Sequence, residues 1–195
     1  MDLMVFDLTL DASAILFVLS LIGGTLLLAL ALASTAFRTF EFFPPPSKKS
    51  WQSIAFISLF RLFVYPLIVL SVLKYEHPND WSQTIFGFML LVIGFGTAFL
   101  ITFQMGWRNA FGEKRGLQTT GWFRFSRNPV YVATIVGLIG WGTLLPQTEI
   151  LLLIGIWVTM YLVAPFFEET WLENQYGEKY AQYKARTPRF IVGCL

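Results

Sequence analysis

The chain has 195 residues but only one cysteine, Cys194, and one histidine, His77. A single cysteine excludes a disulfide framework and any Cys-based metal cluster. Cys194 is the penultimate residue, whereas a prenylation box needs its Cys four from the end, so Cys194 reads as an inert tail thiol. One histidine without clustered carboxylates provides no zinc-type ligand set, so no metal is expected. Charge is also scarce. Charged residues make up 13% of the chain, against about 25% in an ordinary soluble domain. The small net charge of +2 says little by itself, and no nucleic-acid partner is expected. What the chain has in abundance is apolar residues, 55% of the total, arranged in long runs. Such runs indicate several membrane spans rather than one large core, and the lipid bilayer is the first expected partner.

The runs predict an all-α, polytopic membrane protein with five helical spans. These are Ala12–Phe37, Trp51–Leu73, Trp81–Met105, Pro129–Leu145 and Glu149–Phe167. The N-terminal flank MDLMVFDLTL carries Asp2 and Asp7 but no Lys or Arg, so the first span reads as a retained helix and not a signal peptide. Only LPQTE joins the fourth span to the fifth, which predicts a tight antiparallel hairpin. At ~1.5 Å per residue the fourth span is ~25 Å long, short for a ~30 Å hydrocarbon core. It either starts below the membrane surface or leans on protein.

Basic residues fix the expected orientation. Arg38, Lys48 and Lys49 lie between spans one and two, and Arg108, Lys114, Arg115, Arg124 and Arg127 between three and four. Lys179, Lys184, Arg186 and Arg189 follow span five. The opposite side holds Lys74 among Asp2, Asp7, Asp11, Glu76, Asp80 and Glu149. Positive charge marks the cytoplasmic side, so the N-terminus is expected outside and the C-terminus inside. Arg61 stands apart, inside span two. An intramembrane Arg is either a functional cation or half of a structural pair, and both readings remain open. The whole chain reads as a single integral membrane domain. Any chemistry falls to residues 106–195 on the cytoplasmic side.

Two polar clusters occupy that region. The loop QMGWRNAFGEKRGLQTTGWFRFSRNP mixes basic residues, aromatics and four glycines, Gly106, Gly112, Gly116 and Gly121. Glycines permit positive φ and close approach of backbone to a ligand. Asn128 suits a helix N-cap and Pro129 the first helical position, so a helix start with free N–H groups is expected there, a place that attracts anions. Arg124 and Arg127 alone equally fit lipid phosphates. The second cluster, FFEETWLENQYGEKYAQYKARTPRF, sets Glu168 and Glu169 directly after an apolar run. Leu172, Tyr176, Tyr180 and Tyr183 follow at helical spacing and predict one face of a helix that lies on the membrane or covers a pocket. In the spans, Gly94 with Ala98 and Ala133 with Gly137 have the small-xxx-small spacing of closely packed helices.

Together the clusters resemble the isoprenylcysteine carboxyl methyltransferase family, part of a wider group with phospholipid N-methyltransferases and membrane thiol methyltransferases. The resemblance rests on Leu117, Gly121, Phe123, Arg127, Asn128, Pro129 and Tyr131, then Glu168, Glu169, Leu172, Tyr176, Gly177, Tyr180 and Tyr183. It covers about the last 90 residues. It implies S-adenosylmethionine as methyl donor, with S-adenosylhomocysteine as product. Carried over by position, the cofactor contacts are Gln104, Arg115, Gly116, Leu117, Gln118, Phe123, Asn128, Pro129, Val130, Tyr131 and Glu168. Three departures stand out. Asn128 replaces the histidine of eukaryotic members, Phe123 replaces a tyrosine, and Ala164 occupies the position of an arginine implicated in acceptor binding. Another cation must then meet an acceptor carboxylate; Arg61, Arg108 and Arg124 are the candidates, with Arg61 and Arg124 carried as acceptor contacts.

Methyl transfer from a sulfonium is an in-line displacement. A carboxylate acceptor is already ionised, so no catalytic general base is expected; alignment and removal of water are the tasks. Aromatic faces at Trp122, Phe123 and Tyr131 suit the sulfonium, and Glu168 suits amino or hydroxyl groups of the cofactor. The turn at Asn128–Tyr131 is expected to hold the cofactor carboxylate. A prenylcysteine is the expected lipophilic acceptor. A phospholipid amine or small thiol is the alternative, followed by an NADPH-dependent membrane reductase and a non-catalytic lipid-binding protein.

Overall fold

The computed structural model describes residues 2–36, 40, 42–43, 45, 49–76, 80–106 and 116–191, excluding the side chains of residues 2–11 and 35–36. His77, Arg38, Lys48, Arg108, Lys114, Arg115, Gly112 and Cys194 lie outside the described residues, as do the side chains of Asp2, Asp7 and Asp11. Six α-helices form among the described residues: α1 (Asp2–Ala36), α2 (Trp51–Leu73), α3 (Trp81–Met105), α4 (Pro129–Leu144), α5 (Thr148–Tyr176) and α6 (Glu178–Arg186). A short 3-10 turn spans Gly121–Arg124. No strand occurs among the described residues.

α2 and α3 have the bounds that the apolar runs predict. At the start of α2, Ser50 Oγ accepts from the Ser53 backbone N–H at 3.3 Å, one of the orphan donors of a helix N-terminus. Four stretches are long and apolar enough to cross a membrane: Ala12–Ser34, Trp51–Leu73, Trp81–Met105 and Thr148–Tyr176. The expected fourth span is instead the short apolar helix Pro129–Leu144. Two bounds differ from expectation. α1 begins upstream of Ala12, and α5 runs beyond Phe167 through both glutamates to Tyr176. Gly177, at φ +52°, then breaks the chain, so Leu172 and Tyr176 fall on α5 while Tyr180 and Tyr183 fall on α6. The four do not form one helical stripe.

The chain divides into two compact units. The first comprises residues 1–84 and 142–160. In it α1 packs on α2. Ser20 Oγ donates to the Phe63 carbonyl at 2.6 Å, and a Cβ on Gly23 would lie 2.8 Å from the Phe63 backbone nitrogen. Phe63, Leu67 and Leu70 are fully buried, and Phe60 and Phe63 meet the Trp157 ring edge-on. Lys74 Nζ pairs with Glu149 Oε1 at 3.1 Å. The second unit comprises residues 85–141 and 161–195. Here α3 and α4 touch backbone to backbone. A Cβ on Gly94 would lie 2.1 Å from the Gly137 nitrogen, and one on Gly140 would lie 2.4 Å from the Leu91 nitrogen. The small residues expected to permit close packing therefore do so. Ala98, Ile101 and Ala133 form a buried apolar cluster against which Phe123 and Val130 pack.

Candidate functional site

The start of α4 is held from below by the C-terminal tail. Asn128 occupies the N-cap position, its carbonyl accepting the first helical bond from Val132 N–H at 3.1 Å. Its side chain, however, faces the tail: Asn128 Nδ2 donates to the Arg189 carbonyl at 2.9 Å. Ser126 Oγ accepts from the Asn128 N–H at 3.0 Å and donates to the same carbonyl at 3.3 Å. The Arg127 N–H donates to the Pro188 carbonyl at 2.9 Å. Tyr183 Oη donates to the Phe123 carbonyl at 2.7 Å, which ties α6 to the 3-10 turn. Burial pushes the Tyr183 hydroxyl well above its ordinary range, with the neighbouring Tyr180 adding to the shift, so it stays a donor at working pH.

Glu169 is the centre of this fastening. It is 6% exposed, and Arg127, Arg189 and Lys184 all reach it. Arg127 Nη1 lies 2.9 Å from Oε1, Arg189 Nε 2.6 Å from Oε1, and Lys184 Nζ 3.2 Å from Oε2. Arg189 also donates through Nη2 to Oε2 at 3.1 Å, a bidentate contact, and stacks its guanidinium 4.0 Å over Phe166. Lys184 bridges further to Glu173 at 2.8 Å. The bonds to Glu173 and Glu169 raise the Lys184 ammonium above its ordinary pKa, and the Glu169 bond does the same for Arg189. A buried carboxylate needs such compensation, and three cations provide it here. Glu169 is therefore not a helix end in water. Arg127, with its side chain only 9% exposed, is committed to Glu169 and is not free for lipid phosphates.

Glu168 has a different setting. Tyr131 Oη donates to Glu168 Oε1 at 2.5 Å, and the Tyr131 ring lies 4.7 Å from that of Tyr161, tilted by 40°. Oε2 of Glu168 carries no hydrogen bond among the described residues. One carboxylate oxygen is thus fixed and the other available, beside two tyrosine rings. A cationic sulfonium suits those rings and a primary amine suits the open oxygen, so this donor set fits an adenosyl-type methyl donor.

A sequence model of phospholipid methyltransferases matches residues 82–179, which hold the first cluster, the second as far as Lys179, and the Tyr131–Glu168 pair. The chain belongs to the phospholipid methyltransferase family. Its helices long and apolar enough to cross a membrane mark it as an integral membrane protein. It is 27% identical over 143 residues to a protein of Cupriavidus metallidurans named cobalt-zinc-cadmium resistance protein CzcN. That match covers 70% of this chain and 65% of the relative, so the chain spans just under two thirds of the curated relative's length. No solved structure matches. No group of three or more potential metal ligands occurs among the described residues.

The residues expected to hold the cofactor are only partly assembled. Tyr131 and Glu168 meet directly, and Asn128 and Phe123 lie in the fastened turn. Pro129 lines an apolar cavity and Val130 packs on the α3 cluster. Gly116 and Gly121 have φ of +109° and +63°, the conformations glycine was expected to supply. Leu117 and Gln118 belong to the irregular segment before the turn, and Gln104 is exposed on the last turn of α3. No hydrogen bond joins Gln104, Leu117 or Gln118 to Glu168 among the described residues. Arg115 lies outside them. Arg124 is exposed on the 3-10 turn, and Arg61 is exposed on α2 in the first unit. Tyr161 was not anticipated. Its spacing from Glu168, two helical turns, is the signal that placed it on the same face of α5.

Proposed function

We propose that this protein is an S-adenosylmethionine-dependent methyltransferase that esterifies the carboxylate of a lipophilic acceptor, a C-terminal isoprenylated cysteine. The observation that carries the reading is the Tyr131–Glu168 pair, with one carboxylate oxygen open beside two tyrosine rings. Glu168 binds the amino or hydroxyl groups of the cofactor, and Tyr131 fixes the carboxylate's orientation. The bound cofactor supplies an electrophilic methyl group on sulfur. Gly116–Gln118, Phe123 and Asn128–Val130 complete the cradle, with Gln104 at the end of α3 and Arg115 as further cofactor contacts. The tail fastened at Glu169 keeps the 3-10 turn closed over the site and excludes water, which strengthens every electrostatic contact inside. Ala164 offers no charge, so a cation from elsewhere meets the acceptor carboxylate. The site faces the cytoplasm.

A second acceptor, a phospholipid amine, is favoured by the family description and by Glu168 itself. An amine must lose a proton before or during transfer, and a half-buried carboxylate bonded to Tyr131 is a group that can take it. The test is methyl transfer from radiolabelled S-adenosylmethionine by the purified protein in mixed micelles. Farnesylated cysteine and phosphatidylethanolamine are supplied in separate reactions. Label on farnesylcysteine that is released by mild base, as a methyl ester is, supports the first reading. Base-stable label on the phospholipid alone moves the assignment to the amine. Label on neither, with no binding of S-adenosylhomocysteine, overturns the proposal.

A further inference from the structure

We propose that the cleft between α3 and α4 in the second unit holds one hydrocarbon chain of an anionic bilayer lipid, with its headgroup on Arg124. The cleft has a volume of about 230 Å³. For comparison, an engineered apolar cavity of roughly 150 Å³ accepts benzene. Its walls are Gly94, Thr97 and Ile101 from α3 and Pro129, Ala133 and Val136 from α4. Along α3 it runs from Ile93 to Ile101, a rise of ~12 Å at ~1.5 Å per residue. The cleft therefore lies parallel to the helices, the direction in which a lipid chain lies in a bilayer.

The end of the cleft carries the features of a lipid headgroup level. Trp122, Phe125 and Ile191 line it there and are 46%, 67% and 54% exposed. Exposed aromatics at such a level are those of a membrane interface. Arg124 sits between Trp122 and Phe125 in the chain, is exposed, and has no hydrogen bond or ion pair among the described residues. Arg127 and Arg189, the other cations of the turn and tail, are committed to Glu169. Arg124 is thus the cation the turn leaves for a ligand, and a phosphate at the interface is the complementary charge.

The cleft is not the place of the proposed chemistry. Val132, Ala133 and Val136 put its body on one face of α4, while Tyr131 lies on the opposite face with Glu168; Pro129, at the helix start, is the residue that the cleft and the proposed cradle share. A chain seated here does not bring its head to Glu168. The inference rests on the membrane character of the protein and not on the methyltransferase reading.

The experiment is native mass spectrometry of delipidated, detergent-solubilised protein offered phosphatidylglycerol or phosphatidylcholine. The wild type is expected to retain one phosphatidylglycerol per chain in preference to phosphatidylcholine. Thr97→Phe and Val136→Phe fill the cleft from opposite walls, and each is expected to weaken retention about tenfold, or ~1.4 kcal/mol. Arg124→Gln, a surface change that leaves packing alone, is expected to remove the preference for phosphatidylglycerol. Wild-type retention in a folded cleft-filling variant overturns the proposal, as does an unchanged headgroup preference in Arg124→Gln. Stoichiometric displacement of the lipid by farnesylated cysteine also overturns it, because it assigns the cleft to the methyl acceptor. Binding of S-adenosylhomocysteine is scored separately, so loss of the lipid site and loss of the methyltransferase reading are distinguishable.

Discussion

α4 carries two unlike faces. Toward α3 it approaches as backbone: a Cβ on Gly94 would meet the Gly137 backbone, one on Gly140 would meet the backbone of Leu91 and Gly87, and one on Gly137 would meet the Phe95 ring. Toward the far half of α5 it is polar and chemical: Tyr131 meets Glu168 and Tyr161. At its glycines the first face is held by proximity and leaves no room for an added atom. The second is held by hydrogen bonds and leaves one oxygen unused. The same 16-residue helix therefore serves as a structural rail on one side and as a wall of the candidate site on the other. Substitution on the first face is expected to cost folding, and substitution on the second to cost binding.

The sharpest break in that comparison is Gly94→Leu. A Cβ alone would stand 2.1 Å from the Gly137 nitrogen, so the helices must separate. No folded protein is expected on size-exclusion chromatography. Gly96, two residues along, has nothing within 4 Å of where its Cβ would be. Gly96→Ala is expected to match or slightly exceed the wild type in thermal stability, by up to about 1 kcal/mol from helix propensity. Equal behaviour of the two variants would contradict the close-packed face.

Next in size is Glu169→Gln, which leaves Arg127 and Arg189 without their charge partner. Removing one member of a buried ion pair costs about 3–5 kcal/mol, so a large fall in melting temperature in detergent is expected. Tyr131→Phe on the chemical face is milder. It strips one partner from a half-buried carboxylate, worth about 1–3 kcal/mol, and is expected to weaken S-adenosylhomocysteine more than it lowers the melting temperature. Smallest is Lys184→Ala. Its side chain is 39% exposed, and exposed pairs contribute about 0–1 kcal/mol. A loss as large as that of Glu169→Gln would show that the tail is fastened mainly from the surface.

The helices were legible where a local signal bounds them. Trp51–Leu73 and Trp81–Met105 follow directly from uninterrupted apolar runs, and Pro129 marks the start of α4. The small residues of α3 and α4 announced their contact by spacing alone. The continuation of α5 past Phe167 was not legible. Two glutamates after an apolar run need either water or a partner, and what keeps Glu169 buried arrives from Arg127 upstream and Arg189 downstream. Such compensation is non-local and leaves no periodic trace. The Tyr stripe was misread for a local reason: Gly177 at φ +52° ends the helix that the spacing appears to continue. Within the candidate site, Tyr131 and Glu168 were anticipated through motif resemblance, and their hydrogen bond brings them together. The loop residues of the same motif, Gln104 and Gly116–Gln118, are not drawn to Glu168 by any comparable contact.

The central claim is that the polar face of α4 forms part of a site for an adenosyl methyl donor. The most direct test is calorimetric titration of the detergent-solubilised protein with S-adenosylhomocysteine, comparing wild type, Glu168→Ala and the cleft variant Val136→Phe, with NADPH as a second ligand. Binding in the wild type and in Val136→Phe, with its loss in a folded Glu168→Ala, is the predicted result. Binding that survives Glu168→Ala unchanged, or binding of NADPH in place of the adenosyl ligand, would contradict it.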